Sequence, residues 1–231
     1  MSYDQLIESC FRNFGLNILF LVSITLVGII ATSLLSADSR RFLPFLIFWS
    51  FSEIAALISG ILFKNNSAVY HIHTIVAIFF IGYYYYTQMR HLPEMKWIFY
   101  AGSSSMLLLW LINLAYFQGW DRMPTNTILF TAVYFIFLVL MSFKQMLDKP
   151  SSDKILGQSR FWLNTGLLIF YASSFFFFAV HAYFISQPVP SPQFLGYFMH
   201  YPNWIWLIMI GMALFVDLRR NFKNKTKHLE H

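Results

Sequence analysis

Long apolar runs separated by short polar gaps are the feature of this sequence that most restricts its fold. A lipid bilayer holds no water that could pair with backbone N–H and C=O groups, so an apolar run that crosses it has to be helical. A hydrocarbon core of about 30 Å needs roughly 20 apolar residues in a helix. Runs of about this length lie at about 14–36, 42–63, 67–89, 96–118, 124–147, 160–186 and 199–219. The sequence therefore predicts an all-α membrane protein, a seven-transmembrane helix bundle.

The composition excludes an ordinary soluble domain. Charged residues make up 11% of the 231 residues, whereas a soluble domain carries about 25%. Cys10 is the single cysteine, which excludes a disulfide within the chain. We interpret residues 1–228 as one seven-helix domain and the final "LEH", residues 229–231, as the remnant of an affinity tag.

The basic residues predict the orientation of the bundle. Of the 16 lysines and arginines, all but Arg12, Lys64 and Arg122 fall in alternate gaps between the runs, beginning with Arg40 and Arg41. Cytoplasmic loops carry the excess of positive charge, so the N-terminus is expected outside and the C-terminus inside. Because the net charge of +6 is spread over short loops, it indicates membrane topology and no nucleic-acid partner. We expect a multi-pass protein of a bacterial inner membrane whose basic face attracts anionic lipids.

Ionisable and polar side chains within the runs predict a binding site. With this orientation His71, His73, His181 and His200 all lie toward the outer surface, and Glu53 lies about 8–10 Å deeper. A carboxyl group at that depth is costly to expose to lipid, so it should face the bundle interior. We expect an outward-facing polar cavity, and its candidate ligand-binding residues are Glu53, His71, His73, Asn113, Asn164, Tyr171, His181 and His200.

The two histidines of "YHIHTIVAIFF" cannot share one target. They are two positions apart, which is about 200° around a helix. At most one of His71 and His73 can therefore point to a given centre, and the sequence leaves open which one does.

A metal site is a further candidate use of the outer histidines. Zinc takes about three nitrogen or oxygen ligands plus water in a catalytic site, and His71, His181 and His200 are the candidate ligands. No H-x-x-x-H or H-E-x-x-H spacing occurs. The seventh run has no lysine before its basic end, which excludes a Schiff-base retinal there.

Three stretches carry a resemblance to a known group of proteins. They are "SEIAALISGILFKNNSAVYHIHTIVAIFF", "FWLNTGLLIFYASSFFFFAVHAYF" and "HYPNWIW". Together with the seven-run plan they resemble small bacterial seven-transmembrane proteins that are similar to the membrane input region of sensor histidine kinases. Ala77 stands where the pattern of that group has an acidic residue. The resemblance implies a sensor or receptor-like module that signals through a partner, since no kinase domain is attached.

The sequence thus supports three classes of function. The first is a receptor-like protein that binds a small ligand, a lipid or a metal ion and signals through a cytoplasmic or membrane partner. The second is a metal-dependent lipid hydrolase or acyltransferase in which Glu53 would act as the general base. The third is a proton-coupled transporter that uses Glu53 as its proton site.

Overall fold

The described part of the chain is helical throughout, apart from short connections. The computed structural model describes residues 15–148, 154–186 and 200–229, and these contain no strand. In chain order the helices are α1 Leu16–Ile30, α2 Ala37–Phe63, α3 Ser67–Met89, α4 Pro93–Ile112, α5 Thr125–Asp148, α6 Ser159–Ser186 and α7 His200–Leu229. A π-helical turn, Asn113–Phe117, continues α4. The all-α fold predicted from the sequence is confirmed.

The helices are suited to a bilayer. Among the described residues, the 6 helices from α2 to α7 are long and apolar enough to cross a membrane. At 15 residues, α1 is shorter than such a span. Large apolar side chains project from the outside of the bundle, including Leu62, Leu108 and Phe137. Because a soluble protein rarely exposes so much contiguous apolar surface, these faces indicate a lipid environment.

α2 begins earlier than the sequence predicts, because a serine caps its first turn. The apolar run predicted from the sequence begins near residue 42, after the charged pair Arg40 and Arg41. In the structure Ser36 caps the helix, and its hydroxyl accepts a hydrogen bond from the Ser39 N–H at 3.3 Å. A serine cap satisfies an N–H that has no partner within the helix. The helix therefore begins in the polar gap, and Pro44 lies inside it.

The helices pack around an aromatic core. α3 contacts α2, α4 and α5, while α7 contacts α6 and α1. Phe42 meets Tyr84 edge-on at a centroid distance of 5.2 Å and Trp206 at 5.7 Å, which joins α2, α3 and α7. Aromatic pairs with this geometry stabilise a core beyond the burial of their area. α4 lies at the periphery, since Met95 and Ser103 are its buried residues.

The loop formed by residues 118–124, which we call the connecting loop, is fastened to the bundle by amide groups. The Gln118 Oε1 accepts hydrogen bonds from Asn113 Nδ2 at 3.0 Å and from the Asn126 N–H at 3.2 Å. Asn126 Nδ2 in turn donates to Asn113 Oδ1 at 3.1 Å. On the other side, Asn65 Nδ2 donates to the carbonyl of Asp121 at 2.8 Å. These contacts fix the position of the loop above the helices.

A second polar network lies toward the opposite end of the bundle. The Ser142 hydroxyl accepts hydrogen bonds from Arg160 Nε at 2.9 Å and from Asn164 Nδ2 at 2.8 Å. The Tyr85 hydroxyl donates to Asn164 Oδ1 at 3.0 Å. This inner network joins α3, α5 and α6 through groups that would otherwise be unpaired in an apolar interior.

Candidate functional site

A cavity of about 220 Å³ lies between α2, α3, α5, α6 and α7, next to the connecting loop. Its walls combine aromatic rings with a few polar side chains, as small-molecule sites commonly do. The lining residues are Trp49, Glu53, Tyr70, His73, Thr74, Ala77, Met123, Ile128, Thr131, Phe135, Phe170, Tyr171, Ser174, Phe178 and Asn203. Met123 belongs to the connecting loop, so the fastening of that loop also shapes this site.

Glu53 supplies the one acidic group that the described residues contribute to the cavity wall. The Trp49 indole N–H donates a hydrogen bond to Glu53 Oε1 at 2.9 Å, across one turn of α2. The indole is itself held between other rings, because it stacks on Trp206 at 5.9 Å and meets Phe170 at 5.8 Å. Among the described residues Glu53 forms no ion pair. The carboxyl group of Glu53 is therefore held in place by an aromatic scaffold.

His73 reaches the same cavity from α3. Its ring stacks on Phe48 at a centroid distance of 5.7 Å and meets Trp49 edge-on at 6.4 Å. Its Nδ1 atom is buried and has no hydrogen-bond partner in the described part of the chain. The ring therefore contributes to the cavity wall, while this nitrogen is enclosed by neighbouring atoms.

Two hydroxyl groups, one on α5 and one on α6, are likewise buried without a hydrogen-bond partner among the described residues. Thr131 on α5 is 3% exposed and Ser174 on α6 is 2% exposed, and both line the cavity. Within the described chain neither hydroxyl has a hydrogen-bond partner. Buried polar atoms are nearly always paired in folded proteins. The cavity wall therefore includes residues of α3, α5 and α6 that each have a buried polar atom without a partner among the described residues.

A smaller pocket of about 30 Å³ lies on the other side of Glu53. Asn17 of α1 and Asn203 of α7 line it together with Trp49 and Glu53. Asn17 Oδ1 is buried and also lacks a hydrogen-bond partner among the described residues. Asn17 and Asn203 thus line the same small pocket as Glu53.

The residues predicted from sequence separate into those that line the cavity and those that do not. Glu53, His73 and Tyr171 line it. Asn164 belongs to the inner network, and Asn113 belongs to the amide contacts of the connecting loop. The structure does not bring these two to the cavity, because each amide is already paired with neighbouring polar groups.

His71 is placed away from the cavity, although the sequence analysis made it a candidate ligand residue. Its ring is 0% exposed, and Nε2 lies 3.2 Å from the carbonyl of Gly119 and 3.0 Å from that of Arg122. The Trp110 indole donates to His71 Nδ1 at 3.2 Å. Two carbonyl partners require the proton on Nε2, and Nδ1 then accepts. Both ring nitrogens are occupied, so His71 fastens the connecting loop.

The predicted metal set of His71, His181 and His200 is not brought together by the described side chains. Within the described residues no group of 3 or more His, Cys, Asp or Glu side chains is close enough to hold a metal ion. His181 stacks on Phe177 at 5.7 Å with an interplanar angle of 10° and does not line the cavity. His200 begins α7, but its side chain lies outside the described part of the structure.

Sequence reasoning missed part of the cavity wall. Trp49 could have been found, since an indole one helical turn before Glu53 is well placed to hold its carboxyl group. Thr131 and Met123 carried no signal, because a threonine in an apolar run and a methionine in a loop are common. Comparison with known proteins finds no match among family models, curated proteins or solved structures.

Proposed function

We propose that this protein is a receptor-like or sensor-like seven-transmembrane protein of a bacterial inner membrane. A small ligand enters the cavity from outside and a shift of the helices passes the signal to a cytoplasmic or membrane partner. The observation that carries the proposal is a cavity whose wall combines Glu53 and aromatic rings with the polar residues His73, Thr131 and Ser174. The resemblance to the membrane input region of sensor histidine kinases agrees with such a role.

The seventh span in this proposal is α1. It contacts α2 and α7, and its described part is a helix of 15 residues. The distribution of basic residues puts the C-terminal segment on the cytoplasmic side and the N-terminal segment outside. Two ends on opposite sides of the membrane need an odd number of crossings. The cavity consequently opens toward the outside, and Arg219 and Arg220 lie on the cytoplasmic side.

The proposed orientation predicts how single cysteines react in intact spheroplasts. Cys10 should react with a membrane-impermeant thiol reagent, since the N-terminal segment lies outside. In a Cys10→Ser background, Ser152→Cys should stay unlabelled until the membrane is permeabilised, since residue 152 follows α5 on the cytoplasmic side. Labelling is measured by the mass shift of the purified protein. The reverse pattern would show that the bundle is inverted, and labelling at both positions would exclude seven crossings.

The binding role predicts the effect of filling the cavity. Ala77 lines the cavity from α3, and Ala77→Phe places a ring in the space that a ligand would occupy. Small molecules that raise the unfolding temperature of the wild-type protein should lose this effect in the variant, because a ligand at 100 times its Kd stabilises the folded state by about 2.7 kcal/mol. A thermal-shift screen of small amphiphiles in detergent micelles measures this.

Ala55→Phe is the matched control for this screen. Ala55 lies on the neighbouring helix α2, where it is exposed and outside the cavity wall. It should retain every stabilising compound found with the wild-type protein. If Ala77→Phe keeps the same compounds, they bind elsewhere. If no compound stabilises the wild-type protein, the proposed binding role loses its support.

A further inference from the structure

We propose that the ligand of the cavity is a small organic cation, which carries an amine or a quaternary ammonium group. This inference rests on the proposed ligand-binding function and names the chemical class that the site accepts. The charge of the cavity wall, its aromatic rings and the size of the cavity each favour this class of ligand.

The charge of the wall favours a positive ligand. Among the described residues, Glu53 is the one acidic residue of the wall, and no lysine or arginine lines it. Glu53 is half-buried, and an ionised carboxyl group in such a place is unfavourable without a positive partner. A positively charged ligand therefore gains an attraction to Glu53 that a neutral or anionic ligand lacks. The Trp49 indole already donates to Glu53 Oε1, which leaves Oε2 free to accept a second hydrogen bond or to face an ammonium group.

The aromatic rings favour an organic cation over a bare metal ion. Six of the lining residues are aromatic, namely Trp49, Tyr70, Phe135, Phe170, Tyr171 and Phe178. The face of an aromatic ring attracts a cation within about 6 Å, and the attraction is strongest where water is excluded. A metal ion instead needs several ligand groups around one point, and no such group of 3 or more His, Cys, Asp or Glu side chains occurs among the described residues.

The size of the cavity and its hydroxyl groups narrow the class further. A cavity of about 150 Å³ in another protein holds benzene, and this one measures about 220 Å³. It therefore accommodates a molecule of a similar or slightly larger size. The polar residues Thr131, Ser174 and His73 belong to the wall on the α5, α6 and α3 sides, while Glu53 lies on α2. A short cation with a polar group at its other end satisfies both sides.

The test compares choline with its carbon isostere, in which carbon replaces the ammonium nitrogen. Binding of each compound to the full-length protein in lipid nanodiscs is measured by isothermal titration calorimetry. We expect choline to bind about 10-fold more tightly than the isostere, because the two differ only in the charge that the rings and the carboxyl group recognise.

Two pairs of variants locate the effect. Glu53→Gln should weaken choline binding about 10-fold or more and leave the isostere unchanged, while Glu94→Gln, at an exposed acid in the first turn of α4, should change neither. Phe178→Leu should weaken choline binding more than isostere binding, because leucine keeps the apolar contact and removes the ring. Phe175→Leu, at an exposed ring on the same helix, is its control.

Each outcome decides one of the two proposals. Equal affinities for choline and the isostere, or choline binding that survives Glu53→Gln, would overturn the inference of a cation and leave the binding role of the cavity intact. Absence of choline binding would also overturn it, and the cavity-filling screen described above would then decide separately whether the site binds neutral amphiphiles.

Discussion

Replacing His71 by leucine is expected to lower the free energy of unfolding by about 1–3 kcal/mol. The change leaves the Trp110 indole N–H and the carbonyls of Gly119 and Arg122 without the partner that the imidazole provides. Removing one member of a buried hydrogen-bonded set costs the desolvation of the groups left behind. The connecting loop should loosen as a result, because His71 is one of its main attachments to α3.

His73→Leu is the control for this prediction, and its expected effect on stability is small. His73 Nδ1 has no partner among the described residues, so an apolar side chain of similar volume removes no hydrogen bond from that atom. Unfolding of both variants in mixed micelles measures the difference in stability, and hydrogen exchange of residues 118–124 measures the loosening of the loop. Equal stability of the two variants would show that the contacts of His71 are not structural.

This pair of residues shows what the sequence can predict at such a site and what it cannot. The spacing of His71 and His73 is sufficient to conclude that they face different directions, because the angle between neighbouring positions on a helix is fixed. The spacing does not determine which of the two histidines faces the cavity. That choice depends on where α4 and the connecting loop pack against α3, and these contacts join residues that are far apart in the chain.

The fold was predictable for a similar reason. Six apolar helices follow from the length of the runs and the scarcity of charged residues within them, and both are local properties of the sequence. The helix starts required more than hydropathy. Ser36 caps α2, which begins at Ala37 and includes charged residues in its first turns. The helix is therefore longer than its apolar part.

The polar residues inside the helices were the least predictable. A buried asparagine either lines a cavity or is paired with another helix, and the two cases look alike in a sequence. Asn164 is paired with Tyr85 and Ser142, whereas the hydroxyl of Ser174, on the same helix, has no partner among the described residues. The distinction lies in the neighbouring helices, which the sequence does not specify locally.

Gly166→Ala is the second change from which a large effect is expected. A Cβ atom at this position of α6 would lie 2.8 Å from the Cβ of Met209 and would also overlap the Trp206 ring. Real Cβ atoms do not approach other atoms so closely, and Met209 Cβ is attached directly to the backbone of α7. Overpacking of this kind costs about 1–3 kcal/mol, because α6 and α7 have to move apart.

The Trp206 ring has little freedom to relieve the overlap. It is 0% exposed and is packed against Phe42, Trp49 and Phe170. A displacement of this ring would reach Trp49, which donates a hydrogen bond to Glu53. We therefore expect Gly166→Ala to weaken ligand binding in the cavity as well as stability, although Gly166 does not line the cavity.

Gly211→Ala provides the comparison within the same pair of helices. A Cβ atom there meets only Ile24 Cδ1, at 4.0 Å, so the substitution should be neutral or should stabilise α7 by about 0.5–1 kcal/mol. Unfolding in mixed micelles and the binding of a cavity ligand are measured for both variants. Equal stabilities would show that α6 and α7 are farther apart than the structure indicates. Lower stability with unchanged binding would show that the Trp206–Trp49 stack does not couple helix packing to the position of Glu53.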